Sequence, residues 1–156
     1  MNTPNTHNPP WLVKAMSQAG IRETRGGETP QIMRYHAKVD PSGAWLNEDE
    51  DPWCASFASW VLDESGMVSP LTARARDFLG YGEELGHWRR GCLVVLSRGS
   101  NPAHGHVGFV LDVVGDQVVV LGGNQSDSVN VAIYPASRLL GWRWPVPVGG
   151  DTPPEV

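Results

Sequence analysis

Cys54, His106 and Asn124 are three residue types that together perform nucleophilic acyl transfer, and they stand in that order along the chain. Cys54 lies in the stretch Asp51-Pro52-Trp53-Cys54-Ala55-Ser56-Phe57. The spacing of Trp53, Phe57, Trp60 and Val61 predicts a helix over 53–65 that stops at Gly66. A cysteine in the first turn of a helix faces unpaired backbone N–H groups and the positive end of the dipole. Both favour the thiolate, and such positions can pull a cysteine pKa from about 8.5 to below 7. The Cys54 N–H is also placed to help hold an oxyanion beside the sulfur. A competing reading makes Cys54 a small buried hydrophobe on the core side of its helix.

A nucleophilic cysteine needs a base, and the chain has five histidines. His7 falls in the N-terminal arm, His36 late in a helix and His87 in a loop. His106 opens the strand HVGFVLDVV directly after Gly105, which leaves space beside its ring. His104, two residues earlier, is the rival base. The next strand, QVVVLGGNQ, returns antiparallel through a tight turn at Gly115-Asp116 and brings Asn124 beside the start of the His106 strand. There Asn124 would accept the imidazole N–H and orient the ring. Alternatively, Gly122-Gly123-Asn124 is a turn. Trp53, Gln125 and His104 are the candidates for substrate contact.

The elements that must position these groups change character at Gly91. Before it, proline-initiated helices are expected near 10–19 and 30–38, followed by the Cys54 helix and another from Ser69-Pro70 to Leu79. After it, CLVVLS, HVGFVLDVV, QVVVLGG, VNVAIYP and LLGWRW are short strands separated by turn residues. Helices followed by an antiparallel meander make an α+β domain, expected over 10–146 with an arm at 1–9 and a loose tail at 147–156. A length of 156 residues suits one core. Twelve basic against seventeen acidic residues give a net charge of −5, and no basic stripe supports nucleic-acid binding. No apolar run is long enough to span a bilayer, and the first residues lack the basic and apolar regions of a secretory signal. With no export signal, Cys54 and Cys92 are expected as free thiols.

Pro52 to Phe57, Gly105 to Phe109 and Leu121 to Val129 read P-W-C-A-x-F, G-H-V-G-F and L-G-G-N-Q-S-D-x-V. Together with ARARDFLGYG (73–82) and RLLGWRWP (138–145), these motifs resemble the CHAP and NlpC/P60 superfamily of peptidoglycan-cutting cysteine amidases and peptidases. The resemblance implies a papain-like α+β fold with Cys54 as nucleophile, His106 as base and Asn124 as orienting residue. Two positions depart from it. Gly91-Cys92-Leu93 replaces a G-D-[IV] common at the first strand, and Gly122 stands where many CHAP enzymes carry a Glu two residues before the Asn. The acidic run Glu48-Asp49-Glu50-Asp51 resembles the position where some CHAP domains bind calcium, with Asp49 and Asp51 as candidates. Its spacing does not match an EF-hand loop, and no cofactor is expected. Trp88, Trp142 and Trp144 are candidates for stacking on sugar rings.

The expected activity is hydrolysis of an amide bond in the peptide stem of bacterial peptidoglycan by a Cys-His-Asn mechanism. The protein would be a monomer made in the cytoplasm, with no stable membrane insertion, and would act at the cell wall or periplasm. A holin, a secretion machine or an immunity protein are its candidate partners. The alternative is a non-catalytic phage tail or wall-binding module that retains the fold.

Overall fold

A computed structural model describes residues 7–48 and 52–149. Three α-helices come first: α1 (Pro10–Met16), α2 (Pro30–Val39) and α3 (Cys54–Glu64). A 3-10 helix follows at Ala75–Gly80. Then come β1 (Glu83–Leu85), β2 (Leu93–Ser97), β3 (Gly105–Val114), β4 (Gln117–Gln125), β5 (Ser128–Pro135) and β6 (Leu139–Trp144). Prolines at the first helical position open α1 and α2, where the missing N–H costs no hydrogen bond. The strands form one antiparallel sheet in the order β1-β6-β2-β3-β4-β5. This is the α+β arrangement expected from the sequence. No helix among the described residues is long and apolar enough to cross a membrane.

The sheet buries both faces. Leu93, Val95, Val107, Phe109 and Leu121 pack toward the helices, while Cys92, Val94, Leu96, Val110, Val118 and Val120 form a second cluster. This split follows the two-residue period of a strand. Helix α3 is buried from Cys54 to Leu62, more completely than its amphipathic spacing suggests. It is therefore the central helix against which the sheet, α1 and α2 are assembled.

Three elements differ from expectation. The helix expected from Ser69 to Leu79 is reduced to the 3-10 turn at Ala75–Gly80. The Ser69 hydroxyl donates to the Ser59 carbonyl, and the Thr72 N–H donates to the Ser59 hydroxyl. With Leu71 in a left-handed conformation (φ 47°), this segment spends its polar groups on α3 instead of on a helix of its own. Helix α1 ends at Met16, and the following turn closes when the Gly20 N–H donates to the Val129 carbonyl. The short polar edge strand β1 carries no apolar alternation that would mark it in the sequence. At the chain's far end, Pro147 bridges Met67 and the Val148 N–H reaches the Gly66 carbonyl.

The close approach that sets the geometry of the site is between β4 and the first turn of α3. A Cβ placed on Gly123 would lie 2.8 Å from Phe57 Cβ and 2.8 Å from the Trp53 ring. Gly123 is not in the left-handed region, so this constraint is purely steric. Gly123→Ala is expected to destabilise the protein by about 1–3 kcal/mol through overpacking against rigid neighbours. Urea unfolding checks this, and an unchanged midpoint would show that the helix and strand are free to move apart.

Candidate active site

Trp53 caps the start of α3 and contributes no side-chain cap. Its ring is fully buried, stacks on Tyr35 at 6.0 Å and donates its indole N–H to Glu23 Oε1 at 2.6 Å. Trp53, expected as a substrate contact, is thus a wedge beneath the helix start with no surface open to solvent. Because no side chain caps the first turn, the Cys54 thiol lies against backbone N–H groups of Cys54 and Ala55. It also meets the backbone of Val107, the residue after His106.

Strand β3 delivers His106. Val107 and Phe109 pack toward α3, and the alternating His106 turns toward Tyr134, ring to ring at 5.2 Å. Its imidazole is fully buried. Nε2 lies 2.9 Å from Gln125 Oε1, and Nδ1 lies 3.5 Å from an Arg98 guanidinium nitrogen. Arg138 sits over the Tyr134 ring at 5.0 Å and donates from Nε to the Ser97 carbonyl. His104 is exposed in the preceding loop, its carbonyl held by Arg76 and its ring 3.5 Å from Asn101. The structure thus brings His106 and Cys54 to one end of β3 and leaves His104 outside.

Asn124 is not on the imidazole. Phe109 pairs with Leu121, and continuing that register would set Asn124 opposite His106. The register of β4 on β5 instead shifts between Gly122 and Gln125, and Asn124 takes a left-handed backbone (φ 55°). A bulge of this kind re-aims side chains. Here it turns Gln125 inward and Asn124 outward. Asn124 lines a polar surface pocket of about 490 Å³ with Arg22, Glu23, Arg25 and Asp127. Both readings of Gly122-Gly123-Asn124 thus meet: the segment ends a strand beside His106, yet its backbone behaves as turn chemistry dictates. Ser126 and Asp127, both at positive φ, then close a two-residue hairpin in which Gln125 pairs with Ser128.

Burial dominates the electrostatics. It pushes the Cys54 thiol up, against the lowering effect of the Val107 backbone, the Arg98 charge and the helix-start N–H groups. The expectation of a stabilised thiolate is therefore corrected: desolvation outweighs the helix N-terminus. Burial also pulls the His106 imidazole down to about 4, helped by Arg98 and Arg138 and opposed by the Gln125 hydrogen bond. The resting pair is a neutral thiol and a neutral imidazole. Cys92, in the second cluster, is pushed up to about 11 by burial. Neither cysteine is in a disulfide.

Asp49 and Asp51 lie outside the described residues. Among those described, no group of three or more His, Cys, Asp or Glu side chains is placed to hold a metal ion. Trp88 and Trp142 pack against the second cluster, and Trp144 is engaged by the Trp11 edge at 5.1 Å and by Arg89 at 4.0 Å. All three rings are half-buried, with one part of each packed within the protein. Arg98 was missed by sequence reasoning, and no local pattern marks it.

Two measurements follow. Folded His106 titrates near 4 and the unfolded residue near 6.5, so the folded state binds fewer protons between them. The stability conferred by the neutral buried ring is complete above pH 6.5 and is lost as pH falls through 4. The loss is about 3 kcal/mol. Urea midpoints should fall from pH 7 to pH 4 in the wild type and less in His106→Asn; equal slopes would place the ring in solvent. Iodoacetamide should label Cys54 slowly at pH 7 and faster as pH rises. Arg98→Gln should slow labelling at pH 8, because removing the cation raises the thiol further. A faster reaction in that variant would show that Arg98 does not act on the sulfur.

The family model of the CHAP domain matches residues 46–124, just over half of the chain, from the loop before α3 to Asn124. Among solved structures, the fold is similar to a Staphylococcus aureus protein described as similar to a lipoprotein of the NLP/P60 family. That match has a TM-score of 0.53 and 19% identity over 92% of this chain. It is also similar to an NlpC/P60 family protein from Bacillus cereus, with a TM-score of 0.52 and 13% identity over 89% of this chain. The chain spans 44% and 41% of those two proteins. No curated protein matches it.

Proposed function

The chain belongs to the CHAP domain family, and from that premise we propose that it hydrolyses an amide bond in the peptide stem of bacterial peptidoglycan. CHAP and NlpC/P60 proteins are generally peptidoglycan cysteine hydrolases. The observation that carries the proposal is the meeting of two elements: the Cys54 thiol, at the first residue of α3, lies against the backbone of the residue that follows His106.

The neutral resting pair favours general-base catalysis over a preformed ion pair. As Sγ attacks the substrate carbonyl, His106 takes the thiol proton. The oxyanion is held by the Cys54 N–H. Collapse breaks the C–N bond, and His106 returns the proton to the leaving amine, which leaves a thioester on Cys54. Water then attacks the thioester with His106 again accepting a proton. The products are a carboxylic acid and the restored thiol. Asn124, in the polar pocket beside this site, is proposed to meet the substrate's polar groups. The cell wall is the proposed place of action.

The second reading, a non-catalytic wall-binding module, is opposed by the retention of both Cys54 and His106. Cys54→Ala is expected to abolish clearing of purified sacculi with little change in melting temperature, since alanine suits a helix start. Cys92→Ala should retain clearing. Turbidity loss decides between the readings: wild-type clearing by Cys54→Ala would end the thiol mechanism.

A further inference from the structure

We infer that Gln125 is the positioning residue of His106, occupying the space that Gly122 leaves empty. The side-chain amide of Gln125 is almost fully buried. Its Nε2 group donates to the Asn130 carbonyl at 2.8 Å, to Asn130 Oδ1 at 3.1 Å and to the Val120 carbonyl at 3.3 Å. Three acceptors around one end leave no doubt which end is the NH₂. The carbonyl end must therefore face His106, 2.9 Å from Nε2. A carbonyl can only accept, so Nε2 carries the proton and Nδ1 is left bare. The bare nitrogen lies on the side reached by Arg98, whose charge also acts on the Cys54 thiol.

Gly122 makes this possible. A Cβ there would stand 2.6 Å from Gln125 Oε1 and 3.4 Å from His106 Nε2. Any side chain at 122 would expel the glutamine carbonyl from the ring. The acceptor for the imidazole thus reaches the ring from three residues further along, through the bulge that turns Asn124 out. Asn130 completes the clamp by donating from Nδ2 to the Gln125 backbone carbonyl at 2.9 Å and to Ser128 Oγ.

The consequence for turnover rests on the thiol-hydrolase reading, but the tautomer does not. In the full chain, long-range proton–nitrogen NMR of the His106 ring should show the Nε2–H neutral tautomer at pH 7. Gln125→Leu removes the acceptor while keeping bulk. It should lower kcat by about 100-fold with KM nearly unchanged, as expected for a misaligned base, while the Arg98 guanidinium beside Nδ1 keeps the proton on Nε2. Gln125→Glu keeps an acceptor and adds a negative charge among Arg98, Arg138, Tyr134 and Cys54, so the ring's titration midpoint should rise above its wild-type value of about 4. A residue that merely supports the β4–β5 turn would leave the ring's titration midpoint where it is. If Gln125→Leu does not fold, the Gln125→Glu midpoint decides. An unmoved midpoint in Gln125→Glu overturns the inference. Failure of the wild type to clear sacculi would count against the hydrolase reading alone, with the ring's titration midpoint still judging Gln125.

Discussion

The approach of β4 to the first turn of α3 is the contact on which the site depends. Gly123 lies against the Trp53 ring and Phe57, closer than a Cβ permits. That contact holds the end of β4 where Gln125 can reach His106, and it closes the helix start against the sheet. The same closeness removes water. A thiol at an open helix terminus would be acidified by the dipole, whereas Cys54 is enclosed and its charged form is disfavoured.

Enclosure makes proton position the controlling variable. With the thiol raised and the imidazole lowered, neither group is charged at rest, and the two shifts have one cause. Arg98 modulates both: its charge lowers the Cys54 thiol and lowers the His106 imidazole. In a chain of net charge −5, Arg98 and Arg138 give this corner a local positive field opposed to the overall balance.

The fold shared with the two NlpC/P60 structures is the scaffold of a central helix packed on an antiparallel sheet, at identities of 19% and 13%. A scaffold of this kind leaves the details of the site to individual side chains. Gly122 and Gln125 illustrate this: the absence of one side chain and the inward turn of another together supply a single hydrogen-bond acceptor.

Much of the architecture was legible from local pattern. A helix with Cys54 in its first turn, a strand beginning about His106, the hairpin at Gly115-Asp116 and the antiparallel meander all follow from apolar period and turn residues. These signals are short-range, and short-range geometry sets them. Tertiary structure alone decided the rest. A bulge between Gly122 and Gln125 reversed which side chain meets the imidazole, because successive strand residues face opposite ways and one extra residue exchanges them. Ser59 on α3 captured the polar groups that a helix from Ser69 would have needed. The protonation of Cys54 and His106 was set by how deeply they are covered, a property of the assembled core that no spacing of residues along the chain encodes.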